Sequence, residues 1–468
     1  MIIFQKFFIK TCNIHFFDRD ARKIFHVPLL GQTIGANLKN TVEKFPNQDA
    51  LICVHQNYRA TYQEFYNQTT AVAKALIFLG AKAGDRIGIW STNRYEWVLL
   101  QYATARIGAI LVNINPAYRT SELIFVINQS EMSHIFSSLV FKSSDYKAMI
   151  TDAREFCPTL KSEIFFDDNW EDFLNNGQEI SDDVLHSYEE HVQFDDPVNI
   201  QYTSGTTGFP KGVTLSHHNI LNNGYFIGIR LKYTEKDRVC IPVPFYHCFG
   251  MVIGNMCCTS HGACMVIPND SFDPDITLKV VSDEKCTSLY GVPTMFIAEL
   301  AVKDFDTFDF SSLRTGVMAG SVCPPEIMKK VENLMNIKEM SICYGMTETS
   351  PVSTQTLIGT PFEKQVNTVG TVQNHLEIKI IDETGKILKR GEHGELCTRG
   401  YSVMLKYWND PENTKKVIDD GRWMHTGDMA VMDEEGYVTI SGRIKDLIIR
   451  GGENISPKEI EDFLYTYP

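Results

Sequence analysis

No C-x-x-C pair occurs among the twelve cysteines, and only Cys257 and Cys258 are neighbours. That leaves neither a zinc spacing nor a disulfide framework, so the thiols are expected as small buried residues in a reducing compartment. A run of about 18 apolar residues is also missing, and with it any expected membrane span; peripheral membrane contact stays open. Positive charge is in deficit, with 44 Lys and Arg against 58 Asp and Glu, a net charge of −14. A nucleic-acid backbone needs clustered cations, so nucleic acid is not expected as a partner, although a small anion can still enter a local pocket. Repeats and low-complexity tracts are absent too. What is present, 43% hydrophobic and 22% charged residues in a chain of 468, is an ordinary globular composition, long enough for about three domain-sized units.

The opening MIIFQKFFIKTCNIHFF carries Lys6 and Lys10 and has no acid before Asp18. A basic, acid-poor start resembles an organelle presequence, here a mitochondrial leader within residues 1–30 ending before about Pro28. The competing reading is a frayed or misplaced start. A matrix location is expected on the first reading and a cytoplasmic one on the second.

From Gly31 helical patterns alternate with short apolar strands. TYQEFYNQTTAVAKALIFLG, from Thr61, predicts an amphipathic helix closed by Gly80, and AGDRIGIWS predicts a turn and a buried strand. EWVLLQYATARIGAILVNINP repeats the alternation up to Pro116. Such a rhythm implies an α/β fold with a parallel sheet covered by helices. Residues 160–196 are acidic and weakly periodic, and read as a peripheral connection. Towards the end, GYVTISGRIKDLIIRGGENISPKEIEDFLY reads as strand, turn, strand, a Gly pair and a helix opened by Ser456 and Pro457.

The most informative string is TSGTTGFPKG, Thr203 to Gly212, lying between the strand-like VNIQY and the helix-like HHNILNNG. Gly205, Gly208 and Gly212 let backbone N–H groups approach an anion, Ser204, Thr206 and Thr207 add hydroxyl donors, and Lys211 adds charge. The G-x-x-x-x-G-K-[ST] template is not met, because Pro210 stands where its second glycine would be. A flexible loop without ligand is the bland alternative, and three glycines, four hydroxyls and a lysine within ten residues count against it.

This string resembles the phosphate-binding signature of the adenylate-forming superfamily, which includes acyl-CoA synthetases, luciferases and peptide-synthetase adenylation domains. YGMTETSP at Tyr344, the stretch from Gly400 through Tyr407 to WNDPENT, WMHTGD ending at Asp428, and GRIKDLIIRGGENISP from Gly442 are similar to its later motifs, in order. PLLGQTIG, VNINPAYR, PFYHCFG, GVPTMF and IIRGGENI look closest to the acyl-CoA synthetase family member 2 group, described as medium-chain and mitochondrial. The resemblance implies a large multi-subdomain AMP-binding unit over residues 31–444, and a hinge with the start of a lid domain over 445–468. It implies ATP, Mg2+ and coenzyme A as co-reactants and a fatty acid as substrate; the oligomeric state is left open.

By the same resemblance, Thr203, Ser204, Gly205, Thr206, Thr207 and Gly208 hold the β and γ phosphates, with Lys211 beside them. Thr347 sits against the α-phosphate, Glu348 binds magnesium, and Tyr344 stacks on adenine with Gly345 in the same turn. Gly320 and Ser321 lie near adenine and the first acyl carbons. Asp428 accepts from the ribose hydroxyls, and Arg443 reaches ribose and phosphate. His247 flanks the carboxylate channel, where a satisfied core histidine is the plain alternative. PFYHCFG has no Asp of the kind that holds a substrate amine, so amino acids are disfavoured. FGMVIGNMCC, GVPTMFIAEL and TGVMAGSVCP are expected to wall the acyl pocket. Lys445 is the expected hinge, and Gly451 and Gly452 are expected to line the thiol tunnel. Only 23 residues follow Lys445, so most of the lid, with its late lysine, is expected to be missing and adenylation to be slow. An aryl- or other carboxylate-CoA ligase, a luciferase-like member and a weak nucleotide-binding fragment are the alternatives.

Overall fold

The computed structural model describes residues 27–203 and 210–444, together with the backbone of 448–450 and 453–455. Three sheets organise it. A seven-stranded sheet runs in the order Lys406–Tyr407, Lys211–Ser216, Pro197–Thr203, Ile110–Asn113, Arg86–Trp90, His134–Ser137, Ser162–Phe165. A nine-stranded sheet has the parallel strands Arg238–Cys240, Ser288–Gly291, Thr315–Ala319 and Glu339–Gly345 at its centre. A four-stranded antiparallel sheet joins Leu376–Ile381, Gly394–Gly400, Met424–Met432 and Val438–Arg443.

The predicted local signals operate as expected. Thr61 and Glu64 form a reciprocal capping box that opens the helix Tyr62–Phe78, satisfying two N–H groups that have no partner within the helix. Gly80 then turns the chain with φ +89°, a left-handed conformation that a Cβ would strain. Strand Arg86–Trp90 follows, and after helix Tyr95–Arg106 the strand Ile110–Asn113 pairs with it in parallel. Trp97, Val213, Phe245 and Val317 belong to one continuous apolar cluster, so the two large sheets share a core.

Residues 160–196, read as a peripheral connection, carry regular structure at the edge of the seven-stranded sheet. They supply an edge strand, Ser162–Phe165, paired in parallel with His134–Ser137, and the helices Trp170–Asn176 and Asp182–Glu189. Trp170 and Phe173 are buried against Phe136. Two buried aromatics hold the segment to the core, although its acidic outer face masks the periodicity. The eleven described cysteines are all free and buried, as expected. No helix among the described residues is long and apolar enough to cross a membrane. At the end, Ile448–Arg450 and Glu453–Ile455 pair as a hairpin; the helix expected from Ser456 lies outside the described residues, as does the leader segment up to residue 26.

Candidate active site

A cavity of about 400 Å3 opens where the nine-stranded and four-stranded sheets meet. Its floor is the end of two parallel strands: Gly320 and Ser321 follow Thr315–Ala319, and Tyr344 and Gly345 end Glu339–Gly345. The C-terminal ends of parallel strands are where open α/β sheets hold ligands. Asp428 and Arg443, neighbours across two antiparallel strands, form the opposite wall. Gly320 holds φ +93°, which leaves the chain free to turn away under the cavity.

Polar groups converge on Asp428. The Tyr344 hydroxyl donates to its Oδ2 at 2.6 Å, and Arg443 Nε lies 3.6 Å from its Oδ1. Burial, and then the adjoining Asp428 charge, push the Tyr344 phenol far above its ordinary range, so it remains a donor. The Asp428 side chain is only 15% exposed whereas that of Arg443 is 62% exposed: a largely buried acceptor faces an exposed cation.

The chain leaves the cavity at Gly345 and makes a single helical turn, Thr347–Thr349, that buries Thr347 and Glu348. A Cβ on Gly345 would collide with the Pro351 carbonyl, so this tight return requires glycine. Burial raises the Glu348 pKa, while a hydrogen bond from Tyr407 and the charges of Lys211 and Arg443 oppose the rise. The Tyr407 hydroxyl donates to Glu348 Oε1 at 2.7 Å, and Lys211 Nζ sits 5.1 Å from the centre of the Tyr407 ring. Lys211 pairs with Thr203 across adjacent strands, so both stand at the base of the expected phosphate loop. The loop residues Ser204, Gly205, Thr206, Thr207 and Gly208 lie outside the described residues, and so does Lys445.

His247 precedes the helix Phe249–Met256, whose hydrogen bonds follow the wide π pattern and whose residues are all buried. The Phe249 N–H donates to His247 Nδ1 at 3.4 Å. His247 is an exposed residue, yet desolvation by the protein around its ring lowers its pKa, which favours the neutral imidazole. Burial pushes the adjacent Cys248 thiol up to about 12; its Sγ donates to Gln201 Oε1 at 3.1 Å. A thiol held neutral in this way is not a nucleophile.

Six expected residues thus line one cavity: Gly320, Ser321, Tyr344, Gly345, Asp428 and Arg443. Thr347, Glu348, Lys211 and His247 are not part of that lining; the first two stand one turn beyond Gly345. Sequence reasoning missed the wall formed by 365–369, the end of the short helix Phe362–Asn367 and the two residues after it, which carry no motif. It also gave no role to the Tyr407 hydroxyl, for which an aromatic inside a recognised motif was the available signal.

The model of the AMP-binding enzyme family matches residues 38–408. YngI of Bacillus subtilis (strain 168), assigned as an acyl-CoA synthetase, is 44% identical over 461 residues, covering 94% of this chain and 84% of that protein. The medium-chain acyl-CoA ligase ACSF2, mitochondrial, of Danio rerio is 43% identical over 469 residues, covering 94% of this chain and 76% of its own. Among solved structures, a Mycobacterium tuberculosis fatty acyl CoA synthetase superposes with a TM-score of 0.80 at 25% identity, covering 93% of this chain and 83% of that one.

Proposed function

From the premise that this chain belongs to the AMP-binding enzyme family and is an ATP-dependent, AMP-forming acyl-CoA ligase, we propose that its acid is a medium-chain fatty acid. We propose further that the acyl-adenylate forms in the cavity between Tyr344 and Asp428. The observation that carries this reading is the convergence of Tyr344 and Arg443 on the Asp428 carboxylate, one turn from the buried Glu348.

A fatty carboxylate and a triphosphate repel each other, so the first step depends on neutralisation and alignment more than on a nucleophilic side chain. In this reading Asp428 accepts from the ribose hydroxyls and Tyr344 holds that carboxylate while its ring faces adenine. Lys211 and the loop from Thr203 to Gly208 hold the β and γ phosphates, and Arg443 covers the α-phosphate side with Thr347. The carboxylate oxygen then attacks the α-phosphorus, the bond to the bridging oxygen breaks, and pyrophosphate leaves. In the second step the coenzyme A thiol attacks the acyl carbon and AMP leaves. His247 flanks the acid as a neutral hydrogen-bonding group.

Glu348 suits magnesium: a single buried carboxylate, oriented by Tyr407 and flanked by cations that a polyphosphate would engage, is a hard-oxygen ligand of the kind magnesium takes together with phosphate oxygens and water. When bound, the ion would neutralise phosphate charge. Residues 31–444 then act as the nucleotide and acyl unit, with Lys445 as hinge. The mitochondrial name of the Danio rerio relative supports a matrix location.

Non-hydrolysable acyl-adenylate mimics from acetyl to palmitoyl, together with a benzoyl-adenylate mimic, titrated calorimetrically, test the substrate class. Each additional buried CH2 contributes about 0.8 kcal/mol until the pocket ends, so affinity should rise and then break off at medium length. An optimum at acetyl or at an aryl mimic would contradict the proposal.

A further inference from the structure

Asp428 sits where the strand ladder is interrupted on both sides. On one side Glu395 pairs with Met429 and Cys397 with His425, so Thr426, Gly427 and Asp428 together face the single residue Leu396. On the other, Asp428 pairs with Arg443, and the register shifts again just beyond Met429. A double bulge cannot close its own backbone bonds, and buried N–H groups left without acceptors are costly. Side chains take over. Glu395 Oε1 accepts the Gly427 N–H at 3.1 Å, and Oε2 accepts His425 Nδ1–H at 2.9 Å. Thr426 Oγ1 accepts the Asp428 N–H at 3.1 Å while donating to the Leu396 carbonyl at 2.7 Å. Gly427 holds φ +71°, completing the outward turn.

We propose that Glu395, assisted by Thr426, is a positioning residue for nucleotide recognition: its carboxylate ties His425, just before the bulge, to the Gly427 N–H inside it, Thr426 holds the Asp428 N–H, and together they fix the direction in which Asp428 presents its acceptor oxygens. This deepens the assignment of Asp428 to the ribose and rests on it. Glu395, Cys397 and His425 also bring donor atoms within 4.8 Å of one another, a set that a metal could use. Both Glu395 oxygens are already engaged by N–H donors, however, so hydrogen bonding accounts for the cluster. A carboxylate can accept both bonds, a glutamine only one with its oxygen, and an alanine neither.

The test is calorimetric titration of the full chain with AMP and with 2′,3′-dideoxy-AMP, which lacks the ribose hydroxyls. The natural protein should prefer AMP. Glu395→Ala should lose about tenfold in AMP affinity, the size expected for charged hydrogen bonds that act at one remove, and leave dideoxy-AMP affinity unchanged. Glu395→Gln, which keeps one of the two acceptors, should recover part of the loss, and Thr426→Val should repeat the alanine pattern independently. In an Asp428→Ala background Glu395→Ala should add nothing, because effects through one group are not additive. Equal loss for both nucleotides, full additivity, or unchanged AMP affinity would overturn the proposal. So would one zinc per chain that disappears in Glu395→Ala. If the natural protein cannot distinguish the two nucleotides, the ribose assignment itself falls, and this inference with it.

Discussion

At the scale of single residues, the site depends on two carboxylates with different surroundings. Asp428 is held as an acceptor between a phenol and a guanidinium. Asp428→Ala should weaken AMP binding about 10- to 100-fold, as for the loss of hydrogen bonds to a charged group, with little change in the affinity for a free fatty acid; calorimetry with each ligand separates the two. The Glu348 pKa is raised by burial and restrained by Tyr407, Lys211 and Arg443. In the proposed role as magnesium ligand Glu348 must be ionised, so that metal-dependent ATP binding should weaken as pH falls through its elevated pKa. Tyr407→Phe removes a donor that favours the charged form, and the midpoint of MgATP binding should therefore move to higher pH. AMP binding without metal, measured over the same pH range, should not follow it.

At the scale of elements, tight returns and buried polar groups decide what each segment tolerates. Gly345→Ala would drive a Cβ into the Pro351 carbonyl and displace the turn bearing Thr347 and Glu348; the expected cost is about 1–3 kcal/mol of stability, read by denaturant titration, together with weaker ATP binding. Helix Pro293–Leu300 buries Glu299 with neither carboxylate oxygen hydrogen-bonded, and burial raises its pKa well above the ordinary value. In the unfolded chain this group loses its proton near pH 4.5, so it lowers stability increasingly as pH rises from there towards its folded pKa. Glu299→Met should raise the melting temperature, more at pH 8 than at pH 5; an equal gain at both would show that ionisation is not involved.

These elements also show what could be read from the sequence. The helix from Thr61, the glycine at Gly80 and the order of motifs through Asp428 were legible because each rests on local chemistry or a short string. The edge strand Ser162–Phe165 was not, since its pairing with His134–Ser137 is non-local and its neighbours are acidic. Glu395 was equally hidden: its role arises from a register shift between two strands about 30 positions apart, which no local pattern records.

At the scale of the whole molecule, strand ends of the nine-stranded sheet and two strands of the antiparallel sheet meet at one cavity. A ligand there contacts residues of both sheets and binds only the native state, so a medium-chain acyl-adenylate mimic at a hundred times its Kd should stabilise the chain by about 2.7 kcal/mol. The most direct measurement is a crystal structure of this chain with a non-hydrolysable decanoyl-adenylate mimic. The account predicts adenine beside Tyr344 and Gly320, both ribose hydroxyls on Asp428 and the phosphate surrogate towards Thr347 and Arg443. Ligand density anywhere else, or a ribose turned away from Asp428, would contradict it.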